Sequence, residues 1–375
     1  MPKILHIIND LNLGGAEKQL FFLLHLAKQK GNAQYQHGIL CLQNEGVYGK
    51  TLEELGYPVF YARLGWTLPW ALFKIYRHFK PQVIQTWLYH SDFLGMLIRP
   101  FLFQKAQLVW NLRCSNIDLN HYSSLTKIIL EICAHRSYIP NVILANSQSG
   151  LDYHRNLGYG NSNMFVIPNG FDDKSFYRNE DWRKQIRESF GIPENSKKLK
   201  ILGMFARFDP MKDFDTLLEA FAKVIAAKPN LDIRLLLAGK DVSMENPFFK
   251  AKLEALKLEN KVFLLGPRMD VPELLNALDL FVLSSAFGEG CSNALAEALL
   301  CELPCIATDV GDNALLLEDK NKIVPPKNPE ALANAILENL EEQKQALYRA
   351  KILEHYSLDA MLEKYENLYG SLCAE

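Results

Sequence analysis

Two glutamates lie eight residues apart in the stretch Phe287–Gly311, FGEGCSNALAEALLCELPCIATDVG. The tight loop Gly288-Glu289-Gly290 runs straight into a helical pattern, so Glu289 precedes a helix and Glu297 lies inside it. Amides at a helix N-terminus attract anions. A carboxylate beside them accepts hydrogen bonds from hydroxyls. An anionic group and a polyhydroxylated group in one ligand describe a sugar nucleotide.

A diphosphate also calls for cations. The segment Gly203–Lys212, GMFARFDPMK, follows an apolar run and carries Arg207 and Lys212 on one strand-to-helix loop. Arg grips phosphate as a planar fork and Lys as a point charge. A departing nucleoside diphosphate gains negative charge in the transition state, and fixed cations favour its departure without a metal. By itself the pair also fits a solvated basic loop. Asp213-Phe214-Asp215 resembles a DxD metal site, but acids at a helix start cap it and favour its dipole, and capping is the reading adopted. Gly14-Gly15 follows the first apolar run and opens a helix. Glycines there let a ligand approach the backbone, and a simple tight turn uses them equally. The loop lacks GxGxxG and GxxxxGK[ST], which removes the nicotinamide and P-loop fingerprints. His90, in Gln85–Asp92, QTWLYHSD, stands just past a core strand and just before a helix. That is a strand-end cleft position, with a plain structural role as the alternative. His6 reads as a core histidine on the first strand, and His121, His135 and His154 carry no signal.

The elements that must position these residues follow from length and periodicity. A chain of 375 residues is too long for one ordinary core. Apolar runs of four to seven residues alternate with helical patterns, which is the signature of βαβ units and parallel sheets. Seven such strands are expected before residue 168 and six from residue 200 onward, as two open α/β domains. The hinge falls within Pro168–Asp172, PNGFD, where Pro and Gly punctuate the pattern. The charged run Arg178–Lys200 reads as a solvated connector or first helix. A helix is expected over Asp92–Phe101, another over Pro329–Leu347, and a last one over Asp359–Leu372 that belongs to neither sheet by pattern. The resulting boundaries are 1–170, 171–355 and 356–375.

Composition bounds the class further. Hydrophobic residues make up 49% and charged residues 22%, a globular balance. The net charge of −2 argues against a nucleic-acid partner. It hides an asymmetry. Through Pro168 there are 15 Lys and Arg against 9 Asp and Glu, and beyond it 26 against 34. Such a basic half fits a surface that meets anionic lipid or phosphate, or ordinary scatter of surface charge. The seven cysteines show no metal-ligand spacing and suit a reducing compartment. The N-terminus reads as a strand rather than a signal peptide. No apolar stretch reaches the roughly 18 residues that span a bilayer.

Taken together these motifs resemble the retaining glycosyltransferase family 4, whose members share the GT-B fold. The most specific element is the Glu289…Glu297 pair within FGEGCSNALAEALLCELPCIATDVGD. Arg207…Lys212, Gly14-Gly15 and Ile167–Asp172, IPNGFD, are similar to family segments as well. The resemblance implies two Rossmann-like domains across a cleft, the first binding acceptor and the second nucleotide sugar, with the final helix returning to the first. It implies that Glu297 holds the ribose and that Glu289 holds the transferred sugar. The amides of Gly290, Cys291, Ser292 and Asn293 lie nearby, and Arg207 and Lys212 bind the diphosphate. Gly14 and Gly15 let the backbone close over the donor. The backbone around Arg268 reads the base, and His90 contacts a sugar hydroxyl. Cys291 departs from the Phe or Leu frequent in the family, which leaves the sugar open.

The implied reaction transfers a hexosyl or N-acetylhexosaminyl group, UDP-linked by family frequency, with retention and an α-linked product. No cofactor and no obligatory metal are expected. Trp66, Trp70, Phe73, Lys74, Arg77 and Lys80, with Ile98–Lys105, mix aromatics and cations, as membrane-surface helices do. They point to a polyprenyl-diphosphate or other lipid-linked glycan acceptor. The expected location is the cytoplasm, with peripheral contact on the inner face of an anionic membrane and a role in cell-surface glycan assembly. The alternatives are a GT-B sugar-nucleotide epimerase and a non-catalytic scaffold.

Overall fold

Strands that read as continuous apolar runs are stable only when both sheet faces are covered, and both sheets of this protein are built that way. The computed structural model describes residues 1–375 apart from 13, 32, 33, 44, 64, 66, 116–122, 192–198, 342–345 and 375. Leu13, Trp66, His121 and part of the 178–200 run lie outside the described residues. The chain forms two units, Met1–Gly170 with Tyr356–Glu375, and Phe171–His355.

The first unit has seven strands: β1 Lys3–Ile8, β2 Gln36–Cys41, β3 Val59–Tyr61, β4 Val83–Trp87, β5 Gln107–Leu112, β6 Val142–Ala145 and β7 Met164–Val166. All pair in parallel, in the order β3-β2-β1-β4-β5-β6-β7. The order reverses between β1 and β4, which makes the carboxyl ends of those two strands the natural ligand crevice. Ser91 Oγ donates to Asn9 Oδ1 at 3.1 Å across that point.

The last helix, Leu358–Ala374, completes this unit's core. Its Tyr365 and Tyr369 are fully buried. Asn111 Nδ2 donates to the Tyr365 hydroxyl at 2.9 Å, and the Tyr369 hydroxyl donates to Gln85 Oε1 at 2.6 Å. Beside them His6 and His37 are stacked and hydrogen-bonded, Nε2 to Nδ1, at 3.0 Å. An indole N–H only donates. The Trp87 Nε1 bond to His6 Nδ1, at 3.3 Å, therefore places the His6 proton on Nε2 and makes His37 Nδ1 an acceptor. Gly170, where the chain leaves this unit, is held equally firmly. Gln19 donates from Nε2 to the Gly170 carbonyl at 3.0 Å and accepts the Gly170 amide at 2.9 Å.

The second unit has six strands: β8 Leu199–Phe205, β9 Asp232–Ala238, β10 Val262–Leu264, β11 Leu280–Leu283, β12 Cys305–Thr308 and β13 Ile323–Val324. Their order is β10-β9-β8-β11-β12-β13, again all parallel, with the reversal between β8 and β11. The charged run before β8 forms a helix, Glu180–Ser189, and it is not a merely solvated one. Arg183 and Arg187 each donate to one Asp279 carboxylate oxygen at 2.6 Å, and Ile201 N donates to Oδ2 at 2.7 Å. Arg183 also satisfies the carbonyls of Asn276, Ala277 and Leu278 at the end of the helix Val271–Ala277, where cations oppose the helix dipole. Burial pushes the Asp279 carboxyl up, but Arg187 and Arg183 outweigh it and hold it below the ordinary carboxylate range.

Two helix boundaries differ from the periodicity. The expected Pro329–Leu347 helix ends at Asn339, and a separate helix covers Ala346–Tyr356. The helix expected from Asp92 begins at Tyr89. Leu88 takes a positive φ of 73° and its carbonyl accepts the Asp92 amide at 2.9 Å, closing a turn three residues early.

Burial holds the His37 imidazole down to about 4 and His6 well below its ordinary value. Between about 6.5, the free imidazole value, and 4 the unfolded chain binds protons that the fold excludes. The contribution of these two histidines is therefore full above 6.5 and falls as the pH drops through this window. For His37 the loss is up to about 3 kcal/mol. Thermal melts between pH 8 and pH 4 should show the decline, and His37→Gln should flatten it; a His37→Gln profile parallel to wild type would overturn this reading.

Candidate active site

The second unit carries a pocket of about 200 Å³ at the carboxyl ends of β8, β9 and β11. Its polar lining includes Arg207, Arg268 and Glu297, and its apolar lining includes Phe205, Val271 and Leu275. Residues from three distant segments of the chain thus meet at the switch point, which is where an open parallel sheet offers a crevice.

The loop after β8 lines it through Ala206 and Arg207 and is tied to the loop after β11. In the first loop Asp209 accepts the Met211 amide at 3.0 Å and starts a tight turn over Pro210–Lys212. From the second, Ser284 Oγ donates to the Lys212 carbonyl at 2.9 Å, and Ala286 N donates to the Met211 carbonyl at 2.8 Å, so the loops are tied along their backbones. That brings the Lys212 ammonium onto Glu289 Oε1. Both side chains are buried, and Ser285 Oγ donates to the same oxygen at 2.6 Å. On its far side the Glu289 loop rests on Gly311. Gly311 has φ 64°, and a Cβ there would overlap the Glu289 and Gly290 carbonyls. Asp312 N donates to the Gly290 carbonyl at 2.9 Å.

The helix Asn293–Leu300 starts from this anchored loop. Ser292 stands at its N-cap and makes no side-chain cap bond. Gly290, Cys291 and Ser292 are buried, and Asn293 and Ala294 are half-buried. Glu297, one turn on, is buried except where it lines the pocket. Residue type and spacing do not reveal the Lys212–Glu289 contact, which joins a diphosphate candidate to a sugar candidate. An ammonium has three donors, so one bond to Glu289 leaves donors for a ligand.

The two arginines have local partners. Arg207 is 57% exposed and lies 3.1 Å from Asp209. Arg268 bonds Asp270 through two nitrogens, one at 2.7 Å. That pairing raises the guanidinium above its ordinary value and lowers the Asp270 carboxyl. The DxD-like acids are engaged in structure. Asp213 caps the helix Phe214–Ala227, accepting the Thr216 amide at 3.1 Å and its hydroxyl at 2.7 Å. Asp215 lies 2.6 Å from the Lys252 ammonium.

The remaining sequence candidates belong to the first unit. Gly14 is the N-cap of the helix Gly15–Gln29. A Cβ on Gly14 would meet only the end of the Glu17 side chain. His90 sits in the first turn of the helix Tyr89–Leu102, half-buried, and burial lowers its pKa. Around that turn lies a buried network that residue types alone do not reveal. The Tyr89 hydroxyl bonds His154 Nε2 at 2.7 Å, and Thr86 Oγ1 donates to Asp92. Burial pushes the Asp92 carboxyl well above its ordinary value and His154 down to about 4.

Two family models match the chain, "Glycosyltransferase Family 4" over residues 13–175 and "Glycosyl transferases group 1" over residues 199–342. The chain belongs to glycosyltransferase family 4. It is 26% identical over 239 residues to N-acetyl-alpha-D-glucosaminyl L-malate synthase of Bacillus anthracis, covering 61% of this chain and 59% of the relative. It is 26% identical over 213 residues to UDP-Gal:alpha-D-GlcNAc-diphosphoundecaprenol alpha-1,3-galactosyltransferase of Escherichia coli, covering 54% and 53%. The chain thus spans little more than half the length of these curated relatives. Among solved structures, Anabaena Alr3699/HepE in complex with UDP and glucose superposes with a TM-score of 0.82 at 22% identity, covering 99% of this chain and 100% of that one. The two parallel-sheet units are therefore those of a GT-B family 4 protein.

A buried charge stripped of its partner costs about 3–5 kcal/mol. Lys212→Met should therefore destabilise the protein by about that amount. Lys212→Met with Glu289→Met, which removes both charges, should recover at least half of it. Urea titration of the two single variants and the double reads the coupling. Additive losses would show that the pair is not energetically joined.

Proposed function

We propose that the protein transfers a hexosyl or N-acetylhexosaminyl group from a UDP-sugar to a glycan hydroxyl, with retention and an α-linked product. The observation that carries this reading is the pocket in which Arg207, Arg268 and Glu297 meet, lined by the helix that starts from the loop held by the Lys212–Glu289 pair. Support for UDP comes from the UDP-bound HepE structure, and for a lipid-linked acceptor from the diphosphoundecaprenol named for the Escherichia coli relative. On this reading the protein works on the cytoplasmic face of an anionic membrane, in assembly of a polyprenyl-diphosphate-linked or cell-surface glycan.

In the reaction the anomeric carbon–phosphate oxygen bond breaks and a bond to the acceptor oxygen forms on the same face. The acceptor proton goes to the departing phosphate oxygen, so no separate enzymic base is needed at that position. Arg207 and Lys212 stabilise the growing charge on the diphosphate, and the amides of Gly290 to Asn293 add fixed dipoles. Glu289 holds sugar hydroxyls, with its carboxylate oriented by Lys212 and Ser285. Glu297 accepts from the ribose, and the backbone near Arg268 meets the base. Gly14, Gly15 and His90 take the donor-backbone and sugar-hydroxyl roles implied by the family resemblance. No obligatory metal enters: Asp213 is committed to its helix cap and Asp215 to Lys252.

A mass-spectrometric screen of UDP-, GDP- and ADP-sugars against polyprenyl-linked and soluble glycans tests this. Free epimerised donor formed without acceptor would favour an epimerase instead. Calorimetry showing no bound nucleoside diphosphate would favour a scaffold. Arg207→Ala should lower kcat by roughly 10²–10³, and an effect under about threefold would remove Arg207 from catalysis. Glu297→Ala should raise the donor Kd more than it lowers kcat. A large kcat loss at unchanged donor affinity would contradict the ribose assignment.

A further inference from the structure

The first unit presents an exposed face of unusual composition. On the helix Thr67–Lys74 and the wider helical turn that continues it over Ile75–Phe79, the residues Ala71, Leu72, Ile75 and Phe79 are buried. The opposite side carries Trp70, Phe73 and Tyr76, each at least half exposed, together with Lys74, Arg77 and Lys80. Trp70 and Phe73 stack at 5.8 Å, and the Lys74 ammonium lies 5.9 Å over the Trp70 ring. Tyr76 meets Phe103 at 6.4 Å. That contact joins this segment to the end of the helix Tyr89–Leu102, where Phe101 is 81% exposed. The exposed Phe101 thus lies two residues from Phe103, the buried ring that Tyr76 meets.

The charge on these segments has one sign. Residues 55–115 contain seven Lys or Arg and a single acid, Asp92. Asp92 is fully buried. This length of chain therefore sets no carboxylate beside the cations at the surface. Exposed aromatics amid like-signed cations match an anionic interface with an apolar interior, and they are poorly suited to water alone.

We propose that an anionic phospholipid bilayer docks on this face, with Trp70, Phe73 and Phe101 entering the headgroup boundary and Lys74, Arg77 and Lys80 bound to lipid phosphates. The assignment rests on the lipid-linked-acceptor reading above and places the membrane contact on one surface. Each cation near an anionic leaflet contributes about fivefold in partitioning, so three contribute about 10²-fold.

Flotation of the full chain with phosphatidylcholine vesicles, with and without phosphatidylglycerol, tests the proposal. Wild type should float with the anionic vesicles and remain at the bottom with neutral ones. Lys74→Gln with Arg77→Gln and Lys80→Gln should weaken binding by about 10²-fold. Trp70→Ser with Phe73→Ser and Phe101→Ser should abolish it, with thermal melts confirming that both variants fold. Because all six positions are surface positions, a variant that fails to melt cooperatively is replaced by the corresponding single changes, Phe101→Ser and Arg77→Gln. Wild type left in the soluble fraction, or variants that float like wild type, would overturn the proposal. So would an aromatic variant that turns a dimer into a monomer in size-exclusion chromatography, which would assign the face to a second copy of the chain. UDP calorimetry on the same samples separates the two readings. UDP binding without flotation sinks the docking face and leaves sugar transfer standing, and flotation without UDP binding does the reverse.

Discussion

The buried Lys212–Glu289 pair holds the loop from which the pocket-lining helix Asn293–Leu300 starts. Each charge is stable at that depth only while the other compensates it. The pair sits where β8 and β11 part, and the loops it joins are already tied by Ser284 and Ala286 to the backbone of Met211 and Lys212. With Gly311 and Asp312 holding the far side, the Glu289 loop is fixed from two directions. The helix Asn293–Leu300 therefore begins at a defined place, and Ala294 and Glu297 face the same pocket as Arg207 and Arg268. Preorganised amides and charges of this kind need no rearrangement when charge develops on a ligand.

The three cations that the sequence singles out divide into two kinds. Lys212 is buried and fixed. Arg207 and Arg268 are more exposed, and each rests on an aspartate two residues further along, Asp209 or Asp270. Exposed ion pairs are worth about 0–1 kcal/mol, so either arginine leaves its aspartate at little cost. The division follows from burial, since only the lysine is removed from competing water.

The strands were legible because parallel strands buried on both faces must be short and apolar, and each expected strand of both sheets is present. The last helix was legible for a related reason. Its apolar stripe had no sheet of its own, and Tyr365 and Tyr369 supply what Gln85 and Asn111 of the first sheet lack, a buried polar partner. The contacts that shape the site were not legible. Lys212 and Glu289 lie 77 residues apart, Arg183 and Asp279 lie 96 apart, and Gln19 and Gly170 lie 151 apart. Such pairs leave no period in the sequence, because either member alone reads as ordinary surface polarity. The early helix start at Tyr89 was hidden too, since nothing about a leucine signals the positive φ that Leu88 adopts.

Net charge was a similarly blunt instrument, and the structure shows why. The basic surplus of the first half and the acidic surplus of the second nearly cancel, yet they are handled differently. In the first unit the one acid between residues 55 and 115 is buried against Thr86, so that segment adds no exposed carboxylate of its own among its cations. In the second unit acids are spent internally: Asp279 on two arginines, Asp213 on a helix cap, Glu289 on Lys212. A carboxylate so engaged organises structure and adds little to the surface field, because its partner's charge lies within a few ångströms, well inside the Debye length of about 8 Å. The outward electrostatic character of each unit is therefore set by the charges that lack such partners, and the sum over the whole chain cancels that information.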